Sequence, residues 1–205
     1  MRVLFLIQGE GRGHMTQALA LQTILENAGH GVGQVLVGSS SRKTIPEFFM
    51  NKIHAPVKHL QSPNFVTDDN DRSINIYRTI IYNIAKIGTY RDSLQTIQRY
   101  VDLVKPDLLI NFYELLGGLY GFFYQPETPI VTIGHQFMFF HPGYEFPDGM
   151  LMDRLMTKFY TWMNGLGSLK RLALSYYPES DPPGTNIAVV PPLLRDELFR
   201  QSTDE

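Results

Sequence analysis

Residues 2–7, RVLFLI, form a nearly continuous apolar run with no polar alternation, the pattern of a strand covered on both faces in a parallel sheet. Glycines at 9, 11 and 13 end it. From His14 the apolar positions Met15, Ala18, Leu19, Ile24, Leu25 and Ala28 lie mostly along one helical face, with Gly29 as a C-terminal stop. Strand, tight loop and helix make the first half of a βαβ unit.

The alternation recurs along the chain. GQVLVG (33–38) is a second strand, with Ser41 or Thr44 as the cap of a helix around 45–51 and a short strand at APVKHL. QSPNFVTDDNDRS (61–73) is an exposed loop. Ile76, Ile80, Ile84 and Ile87, then Leu94, Ile97, Val101 and Val104, repeat at helical spacing, with Gly88 breaking the run into two helices. PDLLINF and PIVTIG are further strands, with ELLGGLYGFFY a helix between them. MLMDRLMTKFYTWMNGL is another helix, followed by the strands LALSYY and IAVVPP. This order specifies an α/β fold, a doubly wound Rossmann-like parallel sheet. Ligands then bind beyond the carboxyl ends of the strands, here QGEGRGH, GSSS, NFYE and GHQF.

A chain of 205 residues is large enough for one substantial core. With 43% hydrophobic residues, 19% charged and a net charge of −2, it has neither a disordered composition nor the basic surface of a nucleic-acid binder. No cysteine is present, which excludes disulfides, thiolate catalysis and cysteine-ligated metals. The first residues are too short for a signal h-region, and no run reaches a membrane span, so a cytoplasmic location is expected.

The glycine loop departs from two well-known phosphate motifs. In Gly-x-Gly-x-x-Gly the third glycine lets helix and strand pack closely; here that place is His14, and VLVGSSS supplies no acid for a ribose. The Gly-Lys-Ser/Thr of a P-loop is also absent. A merely glycine-rich turn accounts for the glycines, but not for Arg12 and His14 at a helix mouth that favours anions. The same positive end disfavours imidazolium, lowering the His14 pKa and keeping the ring a neutral base, as proton abstraction from a hydroxyl requires.

VLFLIQGEGRGHMTQALAL resembles the amino-terminal half of GT-B glycosyltransferases, in the style of the peptidoglycan N-acetylglucosaminyltransferase and the UDP-glycosyltransferases. KPDLLINFYELLGGLYG and TPIVTIGHQ resemble the fourth and fifth strand segments of that domain, and VVPPLLRDEL the junction with a second. The resemblance implies an acceptor-binding domain over 1–190 and the start of an interdomain linker over 191–205, with the donor-binding half lying outside this chain. The polar RQSTDE ending favours a shortened chain over a partner chain that supplies the donor half. By position, Gly11, Arg12 and Gly13 would contact a donor diphosphate or acceptor phosphate, His14 would deprotonate the acceptor hydroxyl, and Glu114 would orient His14. The resemblance implies a nucleotide-sugar donor as co-substrate, and neither a cofactor nor a metal.

Further candidates come with ordinary structural alternatives. His135 and Gln136 line an acceptor pocket, or the histidine bonds a nearby backbone carbonyl. His141, Phe137, Phe139 and Phe140 bind an apolar or glycan acceptor, or anchor a loop. Ser39, Ser40 and Ser41 bond a ligand, though helix capping explains them more simply. The Met- and aromatic-rich stripe of MLMDRLMTKFYTWMNGL is read first as core, with peripheral membrane docking beside a lipid-linked acceptor, or a face toward the donor-binding half in a shortened chain, as alternatives. Two other functions fit the architecture: a UDP-sugar 2-epimerase-like enzyme, which would need several cleft carboxylates, and a non-catalytic α/β ligand-binding module.

Overall fold

The computed structural model describes residues 1–40, 44–63, 83 and 85–194. Among them seven strands form one parallel sheet: β1 (Arg2–Gln8), β2 (Gly31–Ser39), β3 (Val57–Gln61), β4 (Leu108–Phe112), β5 (Ile130–Ile133), β6 (Lys170–Leu174) and β7 (Ile187–Val190). Their order is β3-β2-β1-β4-β5-β6-β7. The helices are α1 (Arg12–Asn27), α2 (Glu47–Met50), α3 (Ile87–Val104), α4 (Leu115–Tyr124) and α5 (Leu151–Asn164), with a 3-10 helix at His135–Phe140. The doubly wound α/β expectation holds.

Strand period explains why β1 reads as unbroken apolar sequence. Val3, Phe5 and Ile7 enter one core with Met15, Ala18 and Leu19 of α1 and Phe49 of α2. Leu4 and Leu6 enter the other, with Ile97 and Val101 of α3 and Leu116 and Tyr120 of α4. Each large side chain so buried contributes about 1.5–3 kcal/mol. The chain leaves β1 toward β2 and β3 on one side and returns to β4 on the other. This reversal opens a crevice at the carboxyl ends of β1 and β4, where such folds place their ligands.

Several expectations need correction. Helix α1 begins at Arg12, two residues before His14, with Gly11 as an N-cap that makes no side-chain hydrogen bond. Helix α2 is capped by Pro46 without a side-chain bond, so Thr44 does not cap it. Ser39 bonds His59 Nε2 at 2.7 Å, and the Ser40 N–H donates to Glu10 at 2.6 Å. The helical break before α3 falls at Lys86, and Gly88 lies inside the first turn. Ser41, Ile76, Ile80, Ile84 and most of the 61–73 loop lie outside the described residues.

The stripe on α5 does not face the core. Leu151, Met152, Leu155, Met156, Phe159 and Trp162 are all exposed, whereas Thr161 and Asn164 are fully buried. The reason is at the helix's far end. Gly118 of α4 lies against the Met163 carbonyl so closely that a Cβ there would collide with backbone, and Asn164 Nδ2 donates to Tyr160 O at 2.9 Å. The polar face is therefore the one drawn inward.

Candidate active site at the sheet switch point

The glycines at the mouth of α1 differ in purpose. A Cβ at Gly9 would lie 2.8 Å from Val37 and 3.0 Å from the Gly38 carbonyl, so this position is closed by the neighbouring strand. A Cβ at Gly11 or Gly13 would meet nothing within 4 Å among the described residues. These two residues, with Arg12 between them, are exposed at the helix end, where unpaired N–H groups favour an anion. The Arg12 guanidinium lies over the Phe48 ring, 5.7 Å from its centroid.

His14 is the third residue of α1 and is buried. Its pKa is held down to about 4, first by burial, then by the charge of His135, with Gln17 opposing weakly. The lowered pKa agrees with the sequence reading, but burial ranks as its main cause, not the helix end. Gln17 approaches the ring, yet neither His14 Nδ1 nor Gln17 Oε1 completes a hydrogen bond of good geometry among the described residues. His135 stands at the start of the 3-10 helix with much of its surface exposed, and partial cover of its ring lowers its pKa. Gln136 is half-buried, and its Oε1 is likewise buried without a partner among the described residues.

Glu114 is 1% exposed. Its Oε1 accepts from Ser62 Oγ in a short hydrogen bond and from the Leu116 N–H at 3.1 Å, capping α4. Its carboxyl group packs on Gly38, where a Cβ would overlap it. Burial pushes its pKa up to about 7, the hydrogen bonds from Ser62 and Leu116 oppose this, and the Glu10 charge adds to it. The expected pairing of Glu114 with His14 is not formed: the Glu114 carboxylate bonds to the β3 end and α4, and among the described residues His14 Nδ1 has no partner.

Against His14 lies Tyr113, which sequence reasoning missed. Its ring stacks on His14 with centroids 5.8 Å apart and planes at 17°. The only available signal was its place in NFYE, between a strand end and a helix cap. Asn111, fully buried, ties the region together: its Oδ1 accepts from the Glu114 N–H at 2.9 Å, and its Nδ2 donates to Glu114 O and Asn164 O at 3.1 and 3.2 Å. His141 binds the Ser180 carbonyl at 3.1 Å and Phe137 is fully buried, so both act as loop anchors here.

Among the described residues no group of three or more His, Cys, Asp or Glu could hold a metal ion, and no helix is long and apolar enough to cross a membrane.

Fold and crevice define a doubly wound α/β domain of the kind that binds a ligand at its switch point. The chain belongs to Glycosyl transferase family 1, whose profile matches residues 1–205. No curated protein matches it by sequence. Among solved structures it is similar to MurG of Acinetobacter baumannii, at 14% identity and a TM-score of 0.52, covering 91% of this chain and 44% of that one. It is also similar to Phytolacca americana UGT2 in complex with UDP-2-fluoro-glucose and pterostilbene, at 13% identity and a TM-score of 0.59, covering 97% of this chain and 56% of that one. At these identities the likeness establishes a shared fold, and the chain spans about half the length of each structure.

Proposed function

We propose that residues 1–190 form the acceptor-binding half of a glycosyltransferase that moves a sugar from a nucleotide-sugar, UDP-linked by analogy with the UGT2 complex, to an acceptor hydroxyl. Residues from 191 onward lead into a donor-binding half. The observation that carries this reading is a buried, neutral imidazole at the switch point, beside an exposed glycine loop at a helix end. His14 takes the proton of the acceptor hydroxyl; that oxygen bonds to the anomeric carbon, and the bond from this carbon to the diphosphate breaks, its electron pair leaving with the nucleotide. Gly11, Arg12 and Gly13 supply N–H groups and positive charge to a phosphate of donor or acceptor. His135 and Gln136 line the acceptor side.

The test is full-length protein incubated with UDP-glucose or UDP-N-acetylglucosamine and a panel of hydroxyl acceptors. Acceptor-dependent UDP release is expected, with an acid limb well below the ordinary histidine value of 6.5, since only the neutral ring accepts a proton. Conversion of the donor without an acceptor would instead indicate epimerase chemistry. Binding without turnover of any nucleotide-sugar would indicate a ligand-binding module.

The exposed stripe of α5 supports a second element of the reading, contact with a membrane surface. Six large apolar side chains are displayed on one helix, and the cations of Arg154 and Lys158 lie 5.4 Å from the centroid of the Phe146 ring beside it. Vesicles containing anionic phospholipid are expected to co-sediment the protein, and Leu155→Asp with Trp162→Asp to weaken this by about tenfold or more. Equal sedimentation of both proteins, or none of either, removes the membrane from the reading.

A further inference from the structure

We infer that Tyr113 is the positioning residue for His14, doing by ring stacking what a hydrogen-bonded acid does elsewhere; the inference rests on the proposed role of His14 as base. Tyr113 follows β4 directly and has φ +54, a left-handed conformation that a residue with a Cβ adopts at some energetic cost. Something must compensate, and the contacts of the ring do so. Its face stacks on the imidazole. Phe137 and Tyr160 meet it edge to face, each at 6.0 Å between centroids, with planes at 77° and 69°. Its hydroxyl pairs with Thr161 Oγ1 at 2.8 Å, on the buried face of α5. The ring is thus fixed from the 3-10 helix and from α5, and it covers the imidazole from the β4 side.

The same turn separates Tyr113 from Glu114. Tyr113 carries its ring to α1, whereas Glu114 carries its carboxyl to Gly38, Ser62 and the start of α4. Among the described residues His14 Nδ1 has no hydrogen-bond partner, so no described carboxylate holds the ring through that nitrogen. The titratable groups around it are His135 at the head of the 3-10 helix and Tyr113 itself, whose phenol is pushed up to about 12 by burial and therefore stays neutral. Removing the ring admits water to the imidazole and frees its rotation.

Two substitutions test this. Tyr113→Leu keeps an apolar side chain but no ring; Tyr113→Phe keeps the ring and loses only the bond to Thr161. The His14 pKa, followed by NMR titration of the imidazole, is expected to rise toward 6.5 in Tyr113→Leu and to return close to its original value in Tyr113→Phe. In full-length enzyme, kcat is expected to fall about tenfold to a hundredfold in the leucine variant with KM little changed, and phenylalanine to rescue most of that loss. An unchanged His14 pKa in Tyr113→Leu, or equal defects in both variants, overturns the inference. Because the titration needs no substrate, it stays decisive if the transferase reading itself fails. That second failure is read from the wild-type assay.

Discussion

Replacing His14 with alanine in the full-length protein is expected to lower turnover by about two to four orders of magnitude, the usual range for loss of a positioned general base. UDP binding is expected to change by less than about threefold, because the exposed backbone of Gly11 to Gly13 is untouched. The size of the loss follows from the acceptor's chemistry. A sugar or alkyl hydroxyl is a weak acid that needs a base in place; an imidazole with a pKa of about 4 is in its accepting form near neutral pH, but the same lowering weakens it as a base, so the loss belongs within the general-base range and not above it. Steady-state kinetics alongside isothermal titration with UDP separates the two quantities. A variant that turns over within tenfold of wild type excludes His14 as the base; one that loses UDP binding to the same extent as turnover assigns it to the donor site.

The second large effect is a pair of opposing stability slopes. His14 has a folded-state pKa of about 4 against 6.5, so the unfolded chain binds the extra proton and stability rises with pH across that interval. Glu114 has a folded-state pKa of about 7 against 4.5, so the folded chain binds the extra proton. Its contribution is full below the unfolded value and is lost as pH rises to about 7. Each amounts to about 3 kcal/mol over its interval, and over most of that range they offset each other. Glu114→Gln is expected to unmask the first, giving a protein that grows more stable between pH 4.5 and 6.5; His14→Ala unmasks the second and inverts the slope. Urea unfolding at several pH values reads both directly. If Glu114→Gln leaves the slope where it was, the buried carboxyl does not hold the proton assigned to it.

Parts of this arrangement were legible in the residues. RVLFLI announces a strand with two covered faces because both its odd and its even side chains are apolar, and the four strand ends in the sequence include those that flank the crevice. What the letters do not carry is rotation about the backbone. Tyr113 and Glu114 are neighbours in NFYE, and the left-handed turn at Tyr113 decides which of them faces His14. The α5 stripe misleads for a related reason. Helical spacing identifies an apolar face, but the close approach of α4 to the Met163 carbonyl, together with Asn111 bonding Asn164 O, selects the polar face for burial.

The glycines divide the domain into positions where sequence can drift and positions where it is locked. Gly9, Gly38, Gly117 and Gly118 each hold space that another backbone or a buried side chain already occupies, so a change there is paid in folding. Gly11 and Gly13 hold space for no neighbour among the described residues. With no described neighbour to displace, recognition at the mouth of α1 can be rewritten there without disturbing the core beneath it.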